Sequence, residues 1–184
     1  MVIFRNALLA LILIISPVAA AADQDDPRLK ELFGFLENAS NPGEAAFVEQ
    51  KIWSIWHTAP SEELQNLLES GMEAMNRADF GHALDLFEQI TKQAPDYAEG
   101  WNKRATVNYL LNNFQASLSD IAETLKREPR HFGALSGKGL VHIREDKLGD
   151  ALVAFEKALQ VSPQNPGTRA HLTALKKLLG QRDI

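Results

Sequence analysis

No cysteine occurs anywhere in the 184 residues, which excludes disulfides, thiolate metal ligands and cysteine nucleophiles. Positive charge is also in short supply. The chain has 19 Lys and Arg against 24 Asp and Glu, a net charge of −5, so it lacks the basic footprint of a nucleic-acid binder. Histidine is sparse and poorly spaced for metal: no two of His57, His82, His131, His142 and His171 lie three, four or five residues apart, leaving no helical ligand pair. No glycine-rich phosphate loop and no nucleophile elbow is present. These absences argue against an enzyme, a metal site and a cofactor.

Long apolar runs are scarce too, and the one at the start has a specific form. Arg5 supplies a positive start, Ala7 to Ile15 are unbroken apolar residues, Ser16-Pro17 interrupts them, and small residues Val18 to Ala22 lead into Asp23. Charge, short apolar core and small residues in that order make a secretory signal peptide. The run is shorter than the roughly 20 residues a spanning helix needs. Cleavage after Ala22 removes Arg5, takes the net charge from −5 to −6, and leaves a chain that does not insert in a membrane. With no cysteine at the cleavage site, lipid attachment is excluded. In a Gram-negative bacterium the exported product is periplasmic.

What is present in quantity is periodicity. Pro95, Pro129 and Pro163 are each 34 residues apart. The same offset links Phe80, Phe114 and Leu148, then Leu84, Leu118 and Leu152, then Phe87, Ile121 and Phe155, then Leu67, Trp101 and Leu135. Small residues recur as Gly71, Ala105 and Gly139, and as Ala83, Ser117 and Ala151. The third copy runs Leu135-x2-Lys138-Gly139-x2-His142, Ala151-x3-Phe155, Pro163. This period and order of residues resemble the tetratricopeptide repeat. Stretches such as Glu99 to Ala105 and Pro129 to Gly137 are similar to those in exported, periplasmic members of largely unknown role.

The physics of the columns gives a fold. Small residues let two helices approach closely, large apolar residues fill the seams, and each proline stops a second helix. Turns within hairpins are expected near Asn76–Asp79, Asn112-Asn113 and Glu145–Lys147, and Asp96-x-x-Glu99 has the form of a capping box. The expectation is an all-α, right-handed α-solenoid of helix–turn–helix hairpins. Residues 1–22 are the signal and 23–60 a degenerate helical hairpin. Residues 61–163 hold three repeats (about 64–97, 98–131 and 132–165), and 166–184 a capping helix and tail. In that helix Leu172, Leu175, Leu178 and Leu179 form the apolar stripe and Gly180 the stop. Trp53 and Trp56 are expected to pack on the first repeat, with a partner anchor as the other possibility.

The resemblance implies a non-catalytic scaffold whose first helices line a concave groove for a partner protein or peptide. Of its groove seats, the eight taken as candidate partner contacts are Met72 and Asn76 in the first repeat, Asn102, Lys103, Thr106 and Tyr109 in the second, and Ser136 and Arg144 in the third; Glu99 and Leu68 fall on seats of the same groove. Gly133 and Gly137 remove bulk beside Ser136, leaving room for a ligand backbone. Of the seats that hold a C-terminal carboxylate in some members, only Lys103 carries a suitable group, so that clamp is absent. Where the family prefers leucine, Arg104 and Lys138 appear. Arg104 is expected to pair with Asp120 on the facing helix, and His142 to be a partly buried structural imidazole. Two other roles fit the same pattern: a peptide-capturing accessory of an envelope enzyme complex of the cytochrome c maturation type, and a self-associating structural unit.

Overall fold

In the computed structural model, residues 23–182 are described; residues 1–22, expected from the sequence to be a signal peptide, lie outside them. Among the described residues the chain is all helix: α1 (Arg28–Glu37), α2 (Pro42–Trp56), α3 (Glu62–Asn76), α4 (Phe80–Gln93), α5 (Ala98–Leu110), α6 (Phe114–Arg127), α7 (Phe132–Arg144), α8 (Leu148–Val161) and α9 (Pro166–Arg182). The pairs α3–α4, α5–α6 and α7–α8 are antiparallel hairpins stacked in sequence order, with α9 laid on α8. This is the α-solenoid expected from the period.

Each hairpin closes by the same device. The turn residues Ala78, Asn112 and Asp146, again 34 apart, have φ of 58°, 62° and 58°. Within each pair a small residue sits under a large one. A Cβ on Gly139 would lie 2.6 Å from Phe155 Cε1, so only glycine allows that approach; Gly71 lies under Phe87 in the same way. In the middle repeat Ala105 replaces glycine, and its carbonyl accepts a bond from the buried Ser117 hydroxyl at 2.9 Å. The second helices end at Gln93, Arg127 and Val161, two residues before Pro95, Pro129 and Pro163, as proline's missing donor requires.

The N-terminal hairpin departs from expectation. It does not stack on the first repeat; α1 and α2 lie along the edge where the repeats join. Trp56, fully buried, stacks on His131 with centroids 4.1 Å apart, and Trp53 meets His131 and Phe132 edge-on at 5.4 Å. The contact is thus with the start of the third repeat. The first repeat needs no apolar lid, because the outward positions of α3 are Glu62, Glu63, Asn66, Glu69, Ser70 and Glu73, all exposed. At the other end α9 covers the stack through Leu172, Leu175 and Leu179. Leu178 falls outside that stripe at 38% exposure, and Gly180 does not stop the helix, which runs to Arg182.

The edge hairpin is a strap fastened at a repeating position. Tyr97, His131 and Asn165 are 34 residues apart, at the heads of α5, α7 and α9. The Tyr97 hydroxyl donates to the Trp56 carbonyl, His131 receives the Trp56 ring, and the Asn165 amide donates to Glu49 at 2.8 Å. The buried Ser162 hydroxyl also donates to Glu49, at 2.6 Å. Ahead of α1, the Gln24 side chain bonds the Asp96 carbonyl and the Ala98 amide, both at 3.0 Å. One face of α2 therefore reads all three junctions in turn.

Candidate functional site

The inner helices α5, α7 and α9 line a half-open cavity of about 330 Å³. Asn102, Thr106 and Tyr109 enter from α5, where spacings of four and three place them on one face. Phe132, Ser136 and Leu140 enter from α7 at the same helical spacing, Thr168 and His171 from α9, and Trp53 closes one end from the strap. Asn102, Thr106, Tyr109 and Ser136, taken from the sequence as groove seats, are thus brought to one place. Among the described residues, the lining contains no Lys, Arg, Asp or Glu.

The other four seats lie elsewhere. Met72 packs against the core of the first repeat, and Asn76 is an exposed residue at the end of α3. Arg144 donates to Asn112 Oδ1 and lies over the Tyr109 and Phe114 rings, 5.8 and 5.1 Å from their centroids. Lys103 turns to the buried Glu99, 3.2 Å away, and to the Trp53 face at 5.8 Å. Gly133 leaves room for the protein's own Trp53 rather than for a ligand, since a Cβ there would come within 2.6 Å of the indole. Gly137 stays bare; its Cβ would meet only Ile121 Cδ1, at 3.9 Å.

Below Trp53 lies a buried charge cluster that sequence spacing misassigned. The expected capping box does not form: α5 is headed by Tyr97 with no side-chain cap, and Glu99 is 1% exposed. Its Oε2 accepts from Asn102 at 3.0 Å and lies 2.9 Å from His131 Nε2. Its Oε1 is 3.2 Å from both Lys103 Nζ and His57 Nε2, without hydrogen-bond alignment to either. Burial alone would raise the Glu99 pKa, but Lys103, His131 and His57 outweigh it and hold the carboxyl well below its ordinary range. Carboxylate, lysine and two imidazoles come from α5, the strap and the head of α7, so the cluster locks strap to solenoid. Nothing in the spacing of Glu99, His57 and His131 revealed this, because the strap brings them together.

On the far side of α5, Arg104 does pair with Asp120, through Nε at 2.9 Å and Nη2 at 2.6 Å, and Asn108 donates to the same carboxylate at 3.0 Å. Its guanidinium also donates to Thr91 at 2.9 Å. This fork occupies a seam rather than a free acidic-ligand site. His142 is buried, and desolvation moves its pKa down.

The comparisons with known proteins agree with this architecture. A tetratricopeptide-repeat family model matches residues 68–123 and 111–166. A TPR repeat-containing protein of Rhizobium etli is 32% identical over 163 residues, covering 88% of this chain and 80% of the relative. A small glutamine-rich tetratricopeptide repeat-containing protein of Dictyostelium discoideum is 26% identical over 132 residues; the match covers 72% of this chain and only 38% of that one. Among solved structures, the Sgt2 TPR domain from Aspergillus fumigatus superposes with a TM-score of 0.64 at 22% identity, over 68% of this chain and 84% of that one. MamA does so with 0.61 at 18%, over 87% and 86%. The first TPR of Spaghetti (RPAP3), bound to an HSP90 peptide, gives 0.62 at 21%, over 65% and 95%.

Proposed function

The chain belongs to the tetratricopeptide-repeat family, and we propose that it is a non-catalytic scaffold that binds a partner protein or peptide through the cavity on its inner helices. The observation that carries this reading is the convergence of Asn102, Thr106, Tyr109 and Ser136 on one open cavity from two successive repeats. Proteins of this fold generally serve as interaction scaffolds, and the solved Spaghetti domain holds a peptide. The form of residues 1–22 supports export, and the periplasm is the proposed compartment in a Gram-negative cell. The tying of Lys103 to Glu99 speaks against a carboxylate-capturing accessory role.

Affinity capture from the source-cell envelope tests the proposal. The protein is used beside a variant carrying Thr106→Ala, Tyr109→Ala and Ser136→Trp. A partner retained by the parent and lost by the variant supports the groove. A partner held equally by both moves the contact elsewhere, and sedimentation of a stable dimer with no partner would favour self-association.

A further inference from the structure

We propose that this cavity receives one bulky apolar side chain from an internal, uncharged, extended segment of the partner, and that it discriminates against a chain terminus. The inference rests on the groove reading above and narrows it to a class of ligand.

Size is the first argument. A cavity of about 330 Å³ is about twice the engineered cavity of about 150 Å³ that holds a benzene molecule. It accommodates an aromatic or branched side chain with its adjoining backbone, and it is too small for a helix about 10 Å across. The walls suit such a side chain: Trp53, Tyr109, Ile121, Phe132 and Leu140 supply apolar and aromatic surface.

Charge is the second. No described lining residue is a lysine, arginine, aspartate or glutamate. Lys103 is held by Glu99 and Arg144 by Asn112, so a carboxylate entering the cavity would lose water and find no free lysine or arginine to pair with. Apart from the His171 imidazole, the polar side chains named in the lining are uncharged amides and hydroxyls, mostly engaged. The Asn102 amide donates to Glu99, the Thr106 hydroxyl to the Asn102 carbonyl at 2.9 Å, and the Thr168 hydroxyl to Ser136 at 3.3 Å. The Tyr109 hydroxyl makes no hydrogen bond to any described residue, which leaves it to a main-chain group of the ligand. The bare surface at Gly137 lets that main chain approach. Trp53 comes from the strap, so the end wall is not a property of the repeats alone.

The test is an array of nine-residue Gly-Ser peptides, each of the twenty amino acids in turn at the centre. One set is acetylated and amidated; a second ends in a free carboxylate at the varied residue. Binding by the purified protein is read as anisotropy of labelled peptides. Capped peptides centred on Phe, Leu, Ile or Met are expected to bind about tenfold or more tighter than those centred on Asp, Glu or Lys, and no weaker than the free-ended set. Gly137→Phe fills the cavity and removes that preference; Ser136→Phe does the same should the first variant lose its parental melting temperature. Preference for a charged centre or a free terminus, no discrimination, or no binding by any peptide overturns the proposal. A charged preference combined with capture that depends on Thr106, Tyr109 and Ser136 would sink this inference and leave the groove reading intact. Capture indifferent to those residues would sink both.

Discussion

Trp56 of the strap lies flat on His131 at the head of α7, with ring centroids 4.1 Å apart and planes 10° from parallel. Both side chains are essentially inaccessible, so this contact joins the non-repetitive part of the chain to the solenoid as core. Trp56→Ala should cost about 3–5 kcal/mol, the range for deleting a large buried aromatic, measured by urea unfolding. A loss under about 1 kcal/mol would mean that the strap is not an integral part of the fold.

The Glu99 cluster makes an acid-stability prediction. Its carboxyl titrates below the ordinary range in the folded chain, so its contribution is fully present above the unfolded value near 4.5. That contribution is lost as pH falls through the folded value. Glu99→Gln should therefore be less stable than the parent at pH 6, and the gap should narrow as pH is lowered below about 4.5. Melting temperatures of both proteins from pH 3 to pH 7 check this; a constant gap contradicts it.

His142 acts in a higher window. Burial depresses its pKa below 6.5, so the folded state favours the neutral ring, and stability falls as pH drops from about 6.5 toward the folded value. His142→Tyr should remove that part of the pH dependence. An unchanged slope between pH 7 and pH 5 would assign it to other groups.

Gly133 and Gly137 are separated by what lies above them. Gly133→Ala drives a methyl toward the Trp53 indole at 2.6 Å and should cost about 1–3 kcal/mol by overpacking, recovered in part by Trp53→Ala. Gly137→Ala has space and should gain about 0.5–1 kcal/mol from helix propensity. Equal effects at the two positions, read by chemical denaturation, would contradict the placement of Trp53.

The repeats were legible in the sequence because each column answers a local demand. Pro95, Pro129 and Pro163 stop helices, Gly71 and Gly139 admit phenylalanines, and the family's leucine seat at Arg104 pointed to Asp120 across the hairpin. Four of the eight groove seats converge for the same reason, since position within a repeat determines which way a side chain faces. The strap was not legible. Its contacts join Glu49 to Ser162 and Trp56 to His131, pairs far apart in sequence with no periodic signal of their own. Glu99 illustrates the consequence: three residues after Asp96 it has the local form of a cap, yet His57 and Trp53 arriving from the strap make it a buried anion. Lys103 followed Glu99 out of the groove, and Gly133 made room for the strap instead of a ligand.

The most direct test of the central claim is photo-crosslinking in the source-cell envelope, with a photoreactive residue placed at Ser136 inside the cavity or at Val153, which is 51% exposed on α8. The account predicts a discrete adduct from position 136, suppressed by Gly137→Phe, and none from position 153. An adduct from position 153 with none from position 136 would contradict it.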